Sequence, residues 1–284
     1  MDEAPDTLGD VSETAILTLI SRIQESEKKD PFFKDPMAKV LLKGLEPHLS
    51  QDIKDRILKR KKMSRALTSY ITLRADKYDS YTREFLDKHP DGIVVSLGCG
   101  FDTRYWRAVN DPKRYFELDL PEVIDLKRKA LKEKITYTMI SRSVMEFEWM
   151  DRISTIQNEY ILFIAEGLLM YLEPEKVREL IERMSERFSK SQLAAEVVAE
   201  KYTRGMWKKM TESKMRRRAG TTAGSSFNFG INNAKDLEKF GKGIEVLEEW
   251  SYLEDRRVRP GMLRWFRNFK TFTRAQWTVK MSIE

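Results

Sequence analysis

The sequence predicts an α/β fold, a mostly parallel sheet wound on both faces by helices, and three observations predict it. Short apolar runs alternate with segments of helical periodicity from Ile93 to about Glu200, the mark of successive strand–helix–strand units. The run Tyr160-Ile161-Leu162-Phe163-Ile164-Ala165 is apolar almost throughout, as a strand buried on both faces requires. A first strand, Ile93 to Leu97, runs straight into Gly98-Cys99-Gly100, where a backbone can turn sharply and approach a ligand. The 284 residues are 41% hydrophobic and 34% charged, which suits one large soluble domain with additions.

Helices come first. From Val11 to Lys28 the residues Ala15, Ile16, Leu19, Ile20 and Ile23 recur at helical spacing after a capping Ser12. Asp35-Pro36 opens a short helix, Ser50 to Arg60 is amphipathic and basic, and Ala66 to Lys88 is a long striped helix ending at His89-Pro90-Asp91-Gly92. Residues 1–90 therefore read as a helical cap over the strand ends, and 91–284 as the sheet-bearing core.

Within that core a second strand spans Arg114 to Asp119, and Pro121-Glu122 starts a helix with a favourable acidic first turn. Ile135 to Ile140 reads as a third strand and Ser141 to Asp151 as a loop. After the apolar strand, Glu173-Pro174-Glu175 starts a helix, and Gln192 to Glu200 fits either strand or helix. The pattern breaks from Tyr202 to Asn233, a basic, methionine-rich segment that turns polar at Gly220 to Ser226, and reads as an insertion. A helix near Ala234 to Phe240, a strand from Ile244 to Tyr252, a helix from Met262 to Phe269 and a last strand from Ala275 to Ile283 complete the order. That last strand is expected to be antiparallel, with Trp277, Val279, Met281 and Ile283 on one face.

Several classes are excluded or disfavoured. One cysteine, Cys99, permits no intramolecular disulfide, and a reducing cytoplasm is the expected compartment. Only His48 and His89 are present, so a cysteine- or histidine-based metal site is not expected. No apolar stretch approaches the ~20 residues of a membrane span, and the acidic start MDEAPDTLGD lacks the features of a signal peptide. The formal charge of +7 invites a nucleic-acid reading. The basic clusters at Lys59 to Lys62, Arg216 to Arg218 and Arg256-Arg257 lack interleaved aromatics, however, so nucleic acid is not the expected partner.

The glycine turn carries the chemistry. It lacks the third glycine of a dinucleotide fingerprint, and no phosphate-cradling lysine follows. Asp119 closes the next strand 19 residues after Gly100, where a Rossmann-type sheet grips ribose hydroxyls. A turn of this kind suits a nucleoside cofactor without phosphate, which points to S-adenosylmethionine rather than NAD or ATP. Glu117 is a rival acid, expected to point to the other face of the strand. Asp102 and Arg104 read as loop-holding residues, and Cys99 as a small turn residue rather than a nucleophile.

The phrases SLGCGFDTRYWR, YFELDLPEVIDLKR and LFIAEGLLMYL, in this order, resemble the leucine carboxyl methyltransferase superfamily, and within it the bacterial polyketide-synthesis O-methyltransferases. Ser12 to Ala15, Lys34 to Ala38 and the arginine of TLRAD, Arg74, resemble it too, and the similarity runs from about Ser12 to Ala195. The resemblance implies a class I methyltransferase sheet. It implies that Gly98, Cys99 and Gly100 wrap the methionine part of S-adenosylmethionine and that Asp119, beside Leu120, takes the ribose. Arg74 would pair with the cofactor's carboxylate, Glu166 would accept from its amino group, and Ser143 and Val144 would hold the adenine. Family members often have an acid where this chain has Ser143.

No residue is an assured catalyst, because methyl transfer rests largely on alignment. A carboxylate acceptor needs no base, whereas a phenol or alcohol usually does, and neither histidine lies near the motifs. This favours a small organic acid or polyketide-like acceptor, with Tyr171 and Arg204 as possible substrate contacts and Lys208 or Arg216 as further cations. The alternatives are methylation of a protein C-terminal carboxylate, or an RNA-associated module that binds S-adenosylmethionine.

Overall fold

The computed structural model describes residues 10–55, 63–154, 160–219, 226–257 and 273–284. The strands are β1 (Ile93–Leu97), β2 (Tyr115–Asp119), β3 (Thr138–Ser141), β4 (Ile161–Ala165), β5 (Ser191–Val198), β6 (Ile244–Trp250) and β7 (Gln276–Ile283). They form one seven-stranded sheet in the order β3-β2-β1-β4-β5-β7-β6. The first five pair in parallel, and β7 runs antiparallel between β5 and β6. All five residues of β4 are buried, and β4 holds the middle of the sheet, as its apolar run predicts.

The order reverses between β1 and β4. Ser96 stands level with Ile164, so the chain leaves both strands side by side and turns to opposite faces. In open α/β sheets the crevice outside the strand ends at such a reversal is where ligands bind. Gly98-Cys99-Gly100 follows one of these strands and Glu166-Gly167 the other.

The helices are α1 (Asp10–Ser26), α2 (Pro36–Leu45), α3 (Gln51–Ile53), α4 (Arg65–Lys88), α5 (Pro121–Leu131), α6 (Glu148–Ser154), α7 (Pro174–Arg187) and α8 (Gly205–Ala219). Asp35 caps α2, accepting from the Ala38 N–H at 3.0 Å, and Ser64 caps α4. Alternation along the strands divides the core in two. Val95, Leu97, Phe116, Phe163 and Leu193 pack on one face with α6 and α7, while Val94, Leu162, Ile164 and Ala194 pack on the other against Tyr78, Tyr81 and Phe85 of α4. So α4 is itself a layer on the sheet, and α1 and α2 pack beyond it on Phe101 and on α5.

Some boundaries differ from expectation for identifiable reasons. The third strand begins at Thr138 rather than Ile135, because a 3-10 turn at Lys132–Lys134 follows α5. The segment from Ser141 to Asp151 is not all loop: α6 occupies its end, burying Trp149 and Met150. The Gln192 to Glu200 segment is strand as far as Val198, flanked by β4 and β7, and Glu200 opens a 3-10 turn. Ala234–Phe240 winds as a 3-10 helix. The inserted segment after Tyr202 contains α8, which the broken periodicity hid. Trp277, Val279, Met281 and Ile283 are all buried, as the alternation predicts. The Met262 to Phe269 helix, the Lys59 to Lys62 cluster and Gly220 to Ser225 lie outside the described residues. Among the described residues no helix is long and apolar enough to cross a membrane.

Candidate functional site

The glycine turn has left-handed backbone at Gly98 (φ 61°) and Gly100 (φ 51°), which favours glycine at both positions. A Cβ on Gly98 would stand 2.9 Å from the Leu168 side chain, and one on Gly100 would stand 3.4 Å from Ala15 of α1. The turn is tied to the end of β2. The N–H groups of Gly98 and Cys99 donate to the Leu118 carbonyl at 2.8 and 3.2 Å. Gly100 N–H donates to Asp119 Oδ2 at 2.6 Å, and Leu120 N–H to Asp119 Oδ1 at 2.8 Å.

Asp119 thus has one backbone donor on each oxygen and lone pairs to spare for a diol. Burial pushes its carboxyl up, and the two backbone donors pull it down. Glu117 is not on the opposite face from Asp119, as had been expected, because residues two apart in a strand point to the same side. What separates them is depth. Glu117 is fully buried under α5, where Lys127 Nζ donates to both its oxygens at 2.8 Å and Tyr137 adds a donor at 3.2 Å. Ser143 and Val144 follow β3, whose Ser141 is level with Asp119. Ser143 Oγ accepts from Met145 N–H, and the Val144 carbonyl accepts from the Trp149 indole at 3.0 Å.

Below the turn lies a buried ionic network that sequence reasoning missed. Four arginines, Arg22, Arg74, Arg104 and Arg107, meet five carboxylates, Asp35, Asp79, Asp102, Glu166 and Glu196. Arg104, 1% exposed, spends each guanidinium nitrogen on a different acid: Nε on Asp79 (2.9 Å), Nη1 on Asp102 (2.5 Å) and Nη2 on Glu166 (2.7 Å). Arg107 ties Asp79, Asp102 and Asp35 together, and Arg22 joins Asp35 to the Phe101 carbonyl. Arg74 donates from Nε to Glu166 (2.8 Å) and from Nη1 to both oxygens of Glu196 (3.0 and 2.8 Å). The network therefore fastens α1, α2 and α4 to the loop after β1 and to the ends of β4 and β5.

Electrostatics follow from this pairing. Burial alone would raise the Asp102 and Glu166 carboxyls. Arg104 with Arg107 in the first case, and Arg74 with Arg104 in the second, hold them below the usual carboxylate range. Asp79 differs: burial outweighs its two arginines and its carboxyl is raised. Cys99 is a buried thiol pushed up by that burial, with Glu117 adding to the shift, so it is no nucleophile at neutral pH.

The expected substrate contacts part company. Tyr171 sits in a 3-10 turn after β4, its ring 5.7 Å from that of Phe227, and burial with Glu196 nearby pushes its hydroxyl up to about 12. Arg204 is 73% exposed and pairs with Glu200, which opens the 3-10 turn after β5. Lys208 of α8 donates to Asn228 Oδ1 at 3.4 Å, and Asn228 donates to the Tyr171 carbonyl at 3.3 Å.

Residues 15–185 match the sequence pattern of the leucine carboxyl methyltransferases. The chain belongs to that family. It is 31% identical, over 86% of its own length and 84% of the relative's, to the tetracenomycin polyketide synthesis O-methyltransferase TcmP of Streptomyces glaucescens. It is 22% identical to the S-adenosyl-L-methionine-dependent methyltransferase dpfgK of Gibberella zeae, over 95% and 91% of the two chains. In architecture it is similar to a crystal structure of a candidate methyltransferase from Thermobifida fusca, with a TM-score of 0.56, 14% identity and 97% of each chain covered. The sheet with one antiparallel strand, the glycine turn and the acid closing β2 stand together in this member of the family.

The residues present suit S-adenosylmethionine. The turn offers open backbone, Asp119 retains acceptor capacity, and Arg74 Nη2 makes no hydrogen bond among the described residues. Of this set, Arg74, Glu166 and Asp119 were legible from strand-end position and motif. Asp79 and Glu196 were not, because each is one more charge in an otherwise ordinary helix or strand.

Proposed function

We propose that this protein is an S-adenosylmethionine-dependent O-methyltransferase whose acceptor is the carboxylate of a small, polyketide-like organic acid, giving a methyl ester. When bound, the cofactor supplies an electrophilic methyl group on a sulfonium. Asp119 would accept from the ribose hydroxyls, the open glycine turn would admit the methionine chain, and Arg74 Nη2 would meet its carboxylate. Ser143 and Val144, at the end of β3, would border the adenine, and Leu120, 39% exposed, would lie against the nucleoside.

The observation that carries the choice of acceptor is the state of the groups near the crevice. Glu166 and Glu196 are each held by arginines. Tyr171, pushed up to about 12, keeps its proton at neutral pH and can donate but not abstract. His89 stacks on Tyr160 at the start of β4, the far end of the sheet from the crevice, and His48 is exposed after α2. No base stands ready among the described residues, so an acceptor that arrives ionised fits best. The relative named for tetracenomycin polyketide synthesis supports a polyketide-like acceptor.

Charge supports the same reading. Residues 201–218 hold eight lysines and arginines against one glutamate, a surplus equal to the +7 of the whole chain. This segment adjoins Tyr171 through Lys208 and Asn228, so an anionic acceptor would be drawn to that side. In a panel of aromatic acids and phenols, methylation is expected only of the acids, and the product should release methanol in mild alkali as an ester does. kcat/KM for the acid should fall severalfold as salt rises from about 0.05 to 0.5 M while kcat stays level. An alkali-stable ether formed from a phenol would overturn the carboxylate reading.

A further inference from the structure

We infer that Glu196, which touches no ligand in this reading, is the positioning residue that aims Arg74. The inference rests on Arg74 holding the cofactor's carboxylate. Glu196 is 1% exposed on β5, and its Oε1 accepts from the Tyr70 hydroxyl, from Arg74 Nη1 and from Gln276 Nε2 at 2.8 Å. Its Oε2 accepts from Arg74 Nη1 at 2.8 Å. One carboxylate thereby links α4, β5 and β7 around a single guanidinium nitrogen.

A guanidinium is planar, and its donors keep fixed angles to one another. Glu166 fixes Nε and Glu196 fixes Nη1, so the direction of Nη2 is set by two acids at the ends of adjacent strands. Nη2 is the nitrogen left without a partner among the described residues. Without Glu196 the long Arg74 side chain keeps Glu166 and a 3.4 Å contact to the Tyr70 hydroxyl, loses the acid that fixes Nη1, and recovers rotamer freedom, which ligand binding would then have to remove. Tyr70, Gln276 and the backbone of β5 hold Glu196 in turn, so the aim of Arg74 is set before a ligand arrives.

The test compares two ligands that share the nucleoside. S-adenosylhomocysteine carries the amino-acid carboxylate, and 5′-methylthioadenosine does not. In Glu196→Gln the amide nitrogen opposes the Arg74 N–H groups. The Kd of S-adenosylhomocysteine is expected to rise about tenfold while that of 5′-methylthioadenosine stays within about twofold. KM for S-adenosylmethionine should rise alongside it, with kcat at saturation unchanged. Equal weakening of both ligands, or of neither, overturns the inference.

Arg74→Met serves as the control. If it discriminates between the ligands and Glu196→Gln does not, only the role of Glu196 fails. If Arg74→Met does not discriminate either, the reading of Arg74 fails and this inference falls with it. Should Glu196→Gln not fold, Tyr70→Phe removes one support of Glu196 and leaves both charges. It should show the same selective loss at smaller amplitude, and an equal loss on both ligands would overturn the proposal.

Discussion

Arg104→Met is expected to destabilise the protein by about 3–5 kcal/mol, seen as a fall in Tm on the order of 10 °C. Arg104 is 1% exposed and is shared by Asp79, Asp102 and Glu166. Methionine fills much of the same volume but leaves five buried carboxylates facing three arginines. Uncompensated buried charge costs far more than an exposed pair contributes. The pH dependence has a definite sign. Asp102 and Glu166 have folded-state values below the usual range, so their contribution is complete above the unfolded carboxylate value. It is lost as pH falls through the depressed folded value. The penalty of Arg104→Met should therefore be largest near neutral pH and shrink in acid. A neutral-pH loss below about 1 kcal/mol would show that the network is not cooperative.

Lys127→Met should cost a similar amount, about 3–5 kcal/mol, for a simpler reason. Lys127 and Glu117 are both fully buried and depend on one another, with Tyr137 as the remaining donor to the acid. Removing the ammonium strands the carboxylate beneath α5. Combining it with Glu117→Leu should recover most of the loss, since an apolar pair of similar volume is often as stable as the buried ion pair. The double-mutant cycle read by urea denaturation therefore has a strongly non-additive outcome. Additive losses would mean that the two residues stabilise the fold through separate contacts.

These two cases also mark what was legible in the sequence. The sheet, its central strand and the glycine turn followed from local signals: a continuous apolar run, a GxG after a strand, and an acid closing the next strand. Arg74 and Glu166 stood out as candidate site residues because motif and strand-end position singled them out. Their mutual hydrogen bond was not, since it joins residues 92 apart. Asp79 and Glu196 each look like one more charge in a helix or strand, and their partners lie 25 to 126 residues away in the chain. Glu117 was misplaced because its face was misassigned; its depth beneath Lys127 is a tertiary fact. The seven residues of α6 were too few for periodicity to separate them from loop.

The most direct measurement is isothermal titration of the folded protein with S-adenosylhomocysteine, the product the cofactor leaves behind. The site described here predicts saturable, one-to-one binding in the micromolar range, on the order of −8 kcal/mol. Asp119→Ala should weaken it about a hundredfold, because the ribose hydroxyls lose their acceptor. Absence of binding by the demonstrably folded chain, or an Asp119→Ala variant that binds as well as the parent, would contradict this account of the site.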